Sequence, residues 1–383
     1  MYKNFFEYQD KPLKYDNNKI NICIFYYDDV TFYLRLQSIF DIISKNPRYA
    51  FYIVFPKDLK DLQKDLSENK VFFDYFIIQR NWLDLNISKT IMEKSKKLKY
   101  KVIFEIDDDL INMDKSNPGY PYFKEIRNDL IFLVKNADVV SVSTKHLEHS
   151  LKEYNENIIV IPNRLIDLWF GNRKIENSSN EVIKIGYMGS IYHSWDLILI
   201  KEAIESVKSY FSKKNITVVF ELIGGSKDEI SFANRIEVPE NSQPYFDFVK
   251  WFVSTVDWDL AIAPLEESNL NNAKSELKYL EYSVLGIPGI YSSIGPYKEC
   301  ISHEKNGLLV YSNSPDEWTE NIIRLIEDEN LRSTIIKNSY EDIKSNYLIE
   351  ESVNQWVDLF EMNYNEKTDN KIKKYLKKIL FHK

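Results

Sequence analysis

Short apolar runs alternate with stretches of helical periodicity along most of the chain, the pattern of parallel strands connected by covering helices. Residues 20–27 read as a first strand, followed by a helix over 31–44, a strand at 50–55, a helix over 58–68 and a strand at 75–79. Helix 87–98, strand 101–106, helix 122–135, strand 139–143, helix 144–154 and strand 158–162 continue the series. The stretch from Gly171 to Asn180 is polar and turn-prone and reads as a linker. A second series follows: strand 183–188, helix 197–208, strands 217–223 and 260–263, and helix 275–285. Strand 289–292, a short apolar run at 307–311 and helices over 315–327 and 330–346 complete it. The pattern predicts an α/β protein of two Rossmann-like domains, residues 1–170 and 171–360, with residues 361–383 as a terminal helix.

A length of 383 residues agrees with two domains. With 44% apolar and 28% charged residues the chain is globular, which excludes a disordered chain, a coiled coil and a collagen-like fibre. The net charge of −8, 50 basic against 58 acidic residues, leaves no cation excess to replace phosphate counterions and excludes a general nucleic-acid binder. Two cysteines, Cys23 and Cys300, form neither a disulfide framework nor a zinc spacing. No apolar run approaches the roughly 20 residues of a membrane span, and the first residues lack a signal-peptide core. The expectation is a cytoplasmic protein. Eight of the ten glycines fall between Gly186 and Gly307, which suggests that the second half brings its backbone close to a ligand.

The most informative block runs from Asn271 to Ile290. A helix beginning at Ser275 puts Lys274 and Ser275 at its positive end, where free N–H groups and the macrodipole favour an anion. Lys274, Lys278 and Glu281 recur at spacings of four and three and share one helical face. Such a face suits a diphosphate at its lysines and a ribose diol at its carboxylate; the plainer alternative is a solvated Lys–Glu stripe. The ending Leu285-Gly-Ile-Pro-Gly-Ile290 favours the ligand, because it stops the helix and feeds a strand at the crevice edge of an open sheet.

A second constellation is Val102-Ile-Phe-Glu-Ile-Asp-Asp-Asp-Leu110. The strand turns Glu105 inward and delivers Asp107, Asp108 and Asp109 at its carboxyl end, where open α/β sheets bind ligands. One aspartate there can orient an acceptor hydroxyl or take its proton; Asp108 is preferred for its central place. The competing readings are a metal-binding Asp-x-Asp and an acidic helix start at Asp109. Arg80, just after the strand at 75–79, faces the same rim as a phosphate or acceptor contact, or as a structural partner of the acids.

The segment Lys274-Ser-Glu-Leu-Lys-Tyr-Leu-Glu-Tyr-Ser-Val-Leu-Gly-Ile-Pro288 resembles the nucleotide-sugar signature of group 1 (family 4-like) glycosyltransferases of the GT-B fold. Ile185-Gly-Tyr-Met-Gly-Ser-Ile-Tyr-His193 with Asp196 is similar to the loop after the first strand of their nucleotide domain. Ala137–Thr144, Ile159–Asn163 and His303–Val310 resemble flanking segments of the same class, in the same order. The resemblance implies two Rossmann-like domains facing a central cleft. It implies a sugar transferred, with retention of configuration, from a nucleotide diphosphate donor, UDP as the expected nucleotide, to a glycan, lipid-linked or protein acceptor. Gly189, Ser190, His193, Lys274, Ser275, Lys278 and Glu281 would hold the donor, with no metal and no cofactor beyond the nucleotide sugar. Two departures stand out. Ala273 occupies the place of the acid that precedes Glu281 by seven intervening residues, and the loop after residue 188 lacks the usual basic pair. They motivate an alternative, a non-catalytic GT-B binding or partner subunit of a glycosylation complex. Finally, residues 371–383 alternate Lys with apolar positions at helical spacing and contain no acid. That is the pattern of an interfacial helix at an anionic membrane surface, or of a tail packing on the first domain.

Overall fold

The computed structural model describes residues 18–362, apart from residues 27, 56–57, 72, 171–180, 191–193 and 227–228. It divides into two compact units, one ending at Asn163 and resumed from Ile349, the other Arg164–Leu348.

The first unit is built on strands β1 (Ile20–Phe25), β2 (Tyr49–Ile53), β3 (Tyr75–Gln79), β4 (Lys101–Ile106), β5 (Val139–Val142) and β6 (Ile158–Val160). All pair in parallel in the order β2-β1-β3-β4-β5-β6. Every residue of β1 and β3 is buried, as expected of strands covered by helices on both faces. Because β2 and β3 flank β1 on opposite sides, the strand order reverses at β1 and β3, which opens a crevice at their carboxyl ends.

The helix expected over 31–44 is split: Asp29–Phe32 and Ser38–Ile43 are α-helical, and Tyr33–Gln37 forms a π turn. The inserted residue shifts the inward face so that Arg35 is buried with Leu36. Arg35 Nε donates to Glu105 Oε1 at 2.7 Å, with the two side chains 1% and 0% exposed. Gln79 Nε2 donates to the other oxygen of Glu105 at 2.8 Å, and Arg35 also donates to Ile161 O at 2.5 Å and Asn163 Oδ1 at 3.0 Å.

The second unit carries β7 (Val182–Gly189), β8 (Thr217–Gly224), β9 (Asn234–Arg235), β10 (Leu260–Ala263), β11 (Gly289–Ser292) and β12 (Leu308–Val310). They are parallel, in the order β12-β11-β10-β7-β8-β9, so this sheet reverses between β7 and β10.

The chain changes units at 163/164 and again at 348/349, where sequence patterning placed one break at 170/171 and kept residues through 360 in the second domain. Residues 164–170 are drawn into the second unit by a bridge between Leu165 and Leu348 and by Trp169, buried against Phe252 with ring centroids 5.8 Å apart. The helix Ile349–Glu361 returns to the first unit. Trp356 packs edge-on to Phe40 at 5.0 Å, Phe360 meets Tyr75 at 5.1 Å, and Tyr75 donates to Phe360 O at 2.9 Å. Glu361 closes the contact with a bidentate pair to Arg48, at 2.7 and 2.8 Å, and accepts from Tyr49 at 2.7 Å. Residues 371–383 lie outside the described residues. Among the described residues no helix is long and apolar enough to cross a membrane.

Trp356 is fully buried in this contact, so Trp356→Ala should lower the unfolding free energy of the first unit by about 3–5 kcal/mol. A urea titration followed by far-ultraviolet circular dichroism should show an earlier first transition; an unmoved midpoint would contradict the packing described.

Candidate functional site

In the first unit the rim is made by the residues that leave β1, β3 and β4. Arg80 follows β3 directly and takes a left-handed conformation, φ 50°, with its N–H donating to Glu105 O at 2.9 Å. This turn lifts the side chain over the end of β4, where Nε donates to Asp107 Oδ1 at 2.7 Å and a terminal nitrogen donates to Asp108 Oδ2 at 2.8 Å. Burial opposes the guanidinium charge, but the carboxylates of Asp107, Asp108 and Asp28 outweigh it and push the Arg80 pKa up. Asp28, just beyond β1, is itself held by the Thr31 N–H and hydroxyl, each at 2.8 Å.

Asp109 behaves differently from its neighbours. It is 1% exposed and accepts from Asn112 N at 3.0 Å, from the Asn112 side-chain amide and from the Ser150 hydroxyl. The chain leaves the sheet at Ile106, so strand alternation no longer governs these three side chains: Asp107 and Asp108 stay at the rim and Asp109 turns inward. No helix starts at Asp109; the next begins at Tyr120. The three acids therefore do not converge, and among the described residues no cluster of three or more His, Cys, Asp or Glu is placed to hold a metal ion.

In the second unit, Gly189 ends β7 and Gly224 ends β8. Gly224 has φ +67°, and a Cβ there would stand 2.0 Å from Gly189 O, so only glycine lets the two strand ends approach this closely. Ser190 follows, exposed; His193 lies outside the described residues.

The helix expected over 275–285 spans Leu277–Val284 and starts two residues later than periodicity suggests. Lys274 instead ends the short helix Asn269–Ala273, and half-buried Ser275 stands in the turn between the two. Lys274 thus does not share a helical face with Lys278 and Glu281, yet its charge is felt there. Burial, followed by the positive charge of Lys274, lowers the Lys278 pKa to about 8, with Glu281 and Asp196 opposing. The ammonium of Lys278 sits 5.3 Å from the ring centroid of Tyr187, a cation–π contact on buried β7.

Glu281 is 6% exposed, which removes the reading of a solvated stripe. Burial raises its pKa to about 7, against the pull of Lys278 and a hydrogen bond donated by Tyr245 at 3.4 Å. Ala273 is fully buried. Asp28, Arg35 and Tyr245 carry parts of these arrangements and escaped sequence reasoning, because nothing in their local patterns marks them.

Residues 277–342 match the family model described as glycosyl transferases group 1. The uncharacterised glycosyltransferase MJ1069 of Methanocaldococcus jannaschii is 26% identical over 320 residues, 76% of each chain. A second one from that organism, MJ1607, is 33% identical over 87 residues, 22% of each chain. Among solved structures, HepE of Anabaena in complex with UDP and glucose superposes with a TM-score of 0.60 at 11% identity, covering 90% of this chain and all of that one. Sucrose-phosphate synthase of Thermosynechococcus elongatus gives a TM-score of 0.59 at 12% identity, covering 90% of this chain and 99% of that one. The structural likenesses establish the fold, and the matched segment contains the helix that carries Lys278 and Glu281. With two parallel six-stranded sheets of this kind the chain has the GT-B fold, and its residues 277–342 are similar to group 1 glycosyl transferases.

Proposed function

We propose that the chain transfers a sugar from a UDP-sugar bound to its second unit onto a hydroxyl of a glycan, lipid-linked or protein acceptor held by its first unit, with retention of configuration. The observation that carries this reading is Lys278 and the buried carboxylate of Glu281 on one turn of helix, with the charge of Lys274 acting on Lys278, in the unit whose sheet reverses between β7 and β10. The choice of UDP is supported by the solved structures of HepE, which is described in complex with UDP and with UDP-glucose.

Transfer breaks the bond between the anomeric carbon and the β-phosphate oxygen, and negative charge grows on the departing diphosphate. Two preorganised ammonium groups in a poorly solvated site stabilise that charge most as it develops. Glu281, when ionised, accepts from both hydroxyls of a ribose diol, which fixes the nucleotide along the helix. On the first unit, Asp107 and Asp108 face the rim with Arg80, and a carboxylate there orients the acceptor hydroxyl and receives its proton. Arg80 acts in this scheme as the partner of the two acids. A second reading, nucleotide binding without turnover, rests on buried Ala273 in place of an acid. Incubation with a panel of UDP-sugars separates the two, since slow hydrolysis of any donor to free UDP requires an active centre.

Replacing both lysines, Lys274→Ala with Lys278→Ala, should weaken UDP binding by about 1.5–3 kcal/mol while sparing uridine, as read by isothermal calorimetry. Unchanged UDP affinity would remove the donor assignment. Asp107→Asn and Asp108→Asn should each reduce transfer by roughly 10²–10⁴-fold with UDP affinity intact. Asp109→Asn should instead act on stability, since its carboxylate is spent on Asn112 and Ser150. UDP affinity should also depend on pH. It should rise as Glu281 ionises through about 7 and fall above about 8 as Lys278 loses its proton. Calorimetry from pH 6 to 10 on Lys278→Arg should show the alkaline fall displaced upward; a fall left at the same pH would assign it to another group.

A further inference from the structure

Asp196 has no part in the donor contacts above, yet it is 5% exposed and lies on the short helix Ser194–Ile198 after β7. A buried carboxylate is costly unless its oxygens are used. Here Oδ1 accepts from Glu266 N at 2.8 Å and from Asn271 Nδ2 at 3.1 Å. Both donors belong to the stretch that joins β10 to the helix Leu277–Val284. Asn271 also donates to Glu266 O at 2.8 Å through its side chain and to Ser268 Oγ at 3.1 Å through its backbone, so the stretch folds on itself around that carboxylate.

The same stretch is fixed elsewhere. At its start, Leu265 N donates to Ser292 Oγ and Leu265 O accepts from Asn313 Nδ2, at 2.8 and 2.9 Å. On another side Gly295, φ +53°, approaches so closely that a Cβ there would lie 2.7 Å from Asn271 O. Its exit is Lys274, three residues after Asn271, and then the helix with Lys278.

We propose that Asp196 is a positioning residue of the donor site: through Glu266 and Asn271 it holds the 265–273 stretch, and with it Lys274, in place before a nucleotide diphosphate arrives. The proposal rests on the assignment of Lys274 and Lys278 to the donor diphosphate. Its charge adds a second effect, since the Asp196 carboxylate helps Lys278 keep its proton.

The test compares Asp196→Ala, Asp196→Asn and the Lys274→Ala/Lys278→Ala variant in the full chain. Amide hydrogen exchange is read over 265–273, and UDP and uridine are titrated by calorimetry. Asp196→Ala should speed exchange across 265–273 and lower UDP affinity roughly tenfold, with uridine unaffected. Asp196→Asn keeps an acceptor oxygen for both donors, so it should restore exchange protection and most of the UDP affinity. The lysine variant should lose UDP affinity without faster exchange. Wild-type exchange in Asp196→Ala, or an asparagine variant as impaired as the alanine one, would overturn the proposal, as would equal losses for UDP and uridine. A lysine variant that binds UDP like the wild type would instead overturn the donor assignment, and the exchange data, which do not involve nucleotide, keep the two failures apart.

Discussion

The buried pair of Arg35 and Glu105 is the constraint on which the first unit's working edge depends. A guanidinium and a carboxylate taken out of water together lose more solvation than their attraction returns unless geometry is good and the remaining polar atoms are used. Here Gln79 takes the second oxygen of Glu105, and Ile161 O and Asn163 take a nitrogen of Arg35. Each partner adjoins the rim: Gln79 precedes Arg80, and Glu105 lies two residues before Asp107. The pair thus ties the π turn, β3, β4 and the segment that follows β6 into one arrangement, and removal of either member would leave a buried charge uncompensated.

Polar contacts at the rim above it become intelligible in that light. Arg80 is held by its backbone to Glu105 O and by its side chain to two aspartates, so its left-handed conformation is fixed from both ends. Strain of this kind persists where surrounding structure over-determines it. The arrangement leaves Asp107 and Asp108 as the acids of the rim, while Asp109 closes the following turn.

The second unit solves a different electrostatic problem. Lys278 and Glu281 are partly or wholly removed from water on one turn of helix, and each moderates the shift that burial imposes on the other. Their pKa values are drawn toward neutrality from opposite sides, because burial disfavours the charged form of each. Lys274 intensifies this by repelling Lys278, and Asp196 relieves it.

The strands were legible from the sequence alone: 75–79, 101–106, 260–263 and 289–292 coincide with predominantly apolar runs, because parallel strands covered on both faces bury side chains on both sides. The α/β class and the importance of the 274–290 block follow from the same local signals. Local signals end where a residue's partner lies far along the chain. Periodicity shows that 349–361 has an apolar face, but only the folded chain decides that Trp356 and Phe360 meet Phe40 and Tyr75, more than 280 residues away in sequence. Likewise the identity of three consecutive aspartates is a matter of sequence, whereas their division into two rim acids and one turn-closing acid depends on Arg80 and Ser150, brought by other elements. Asp196 is the extreme case: its place in a family-like loop is visible in sequence, but its hydrogen bonds span 70 and 75 residues. Burial and periodicity act over a few neighbouring positions, and charge pairing acts through space, so the first determined the fold and tertiary structure decided the site.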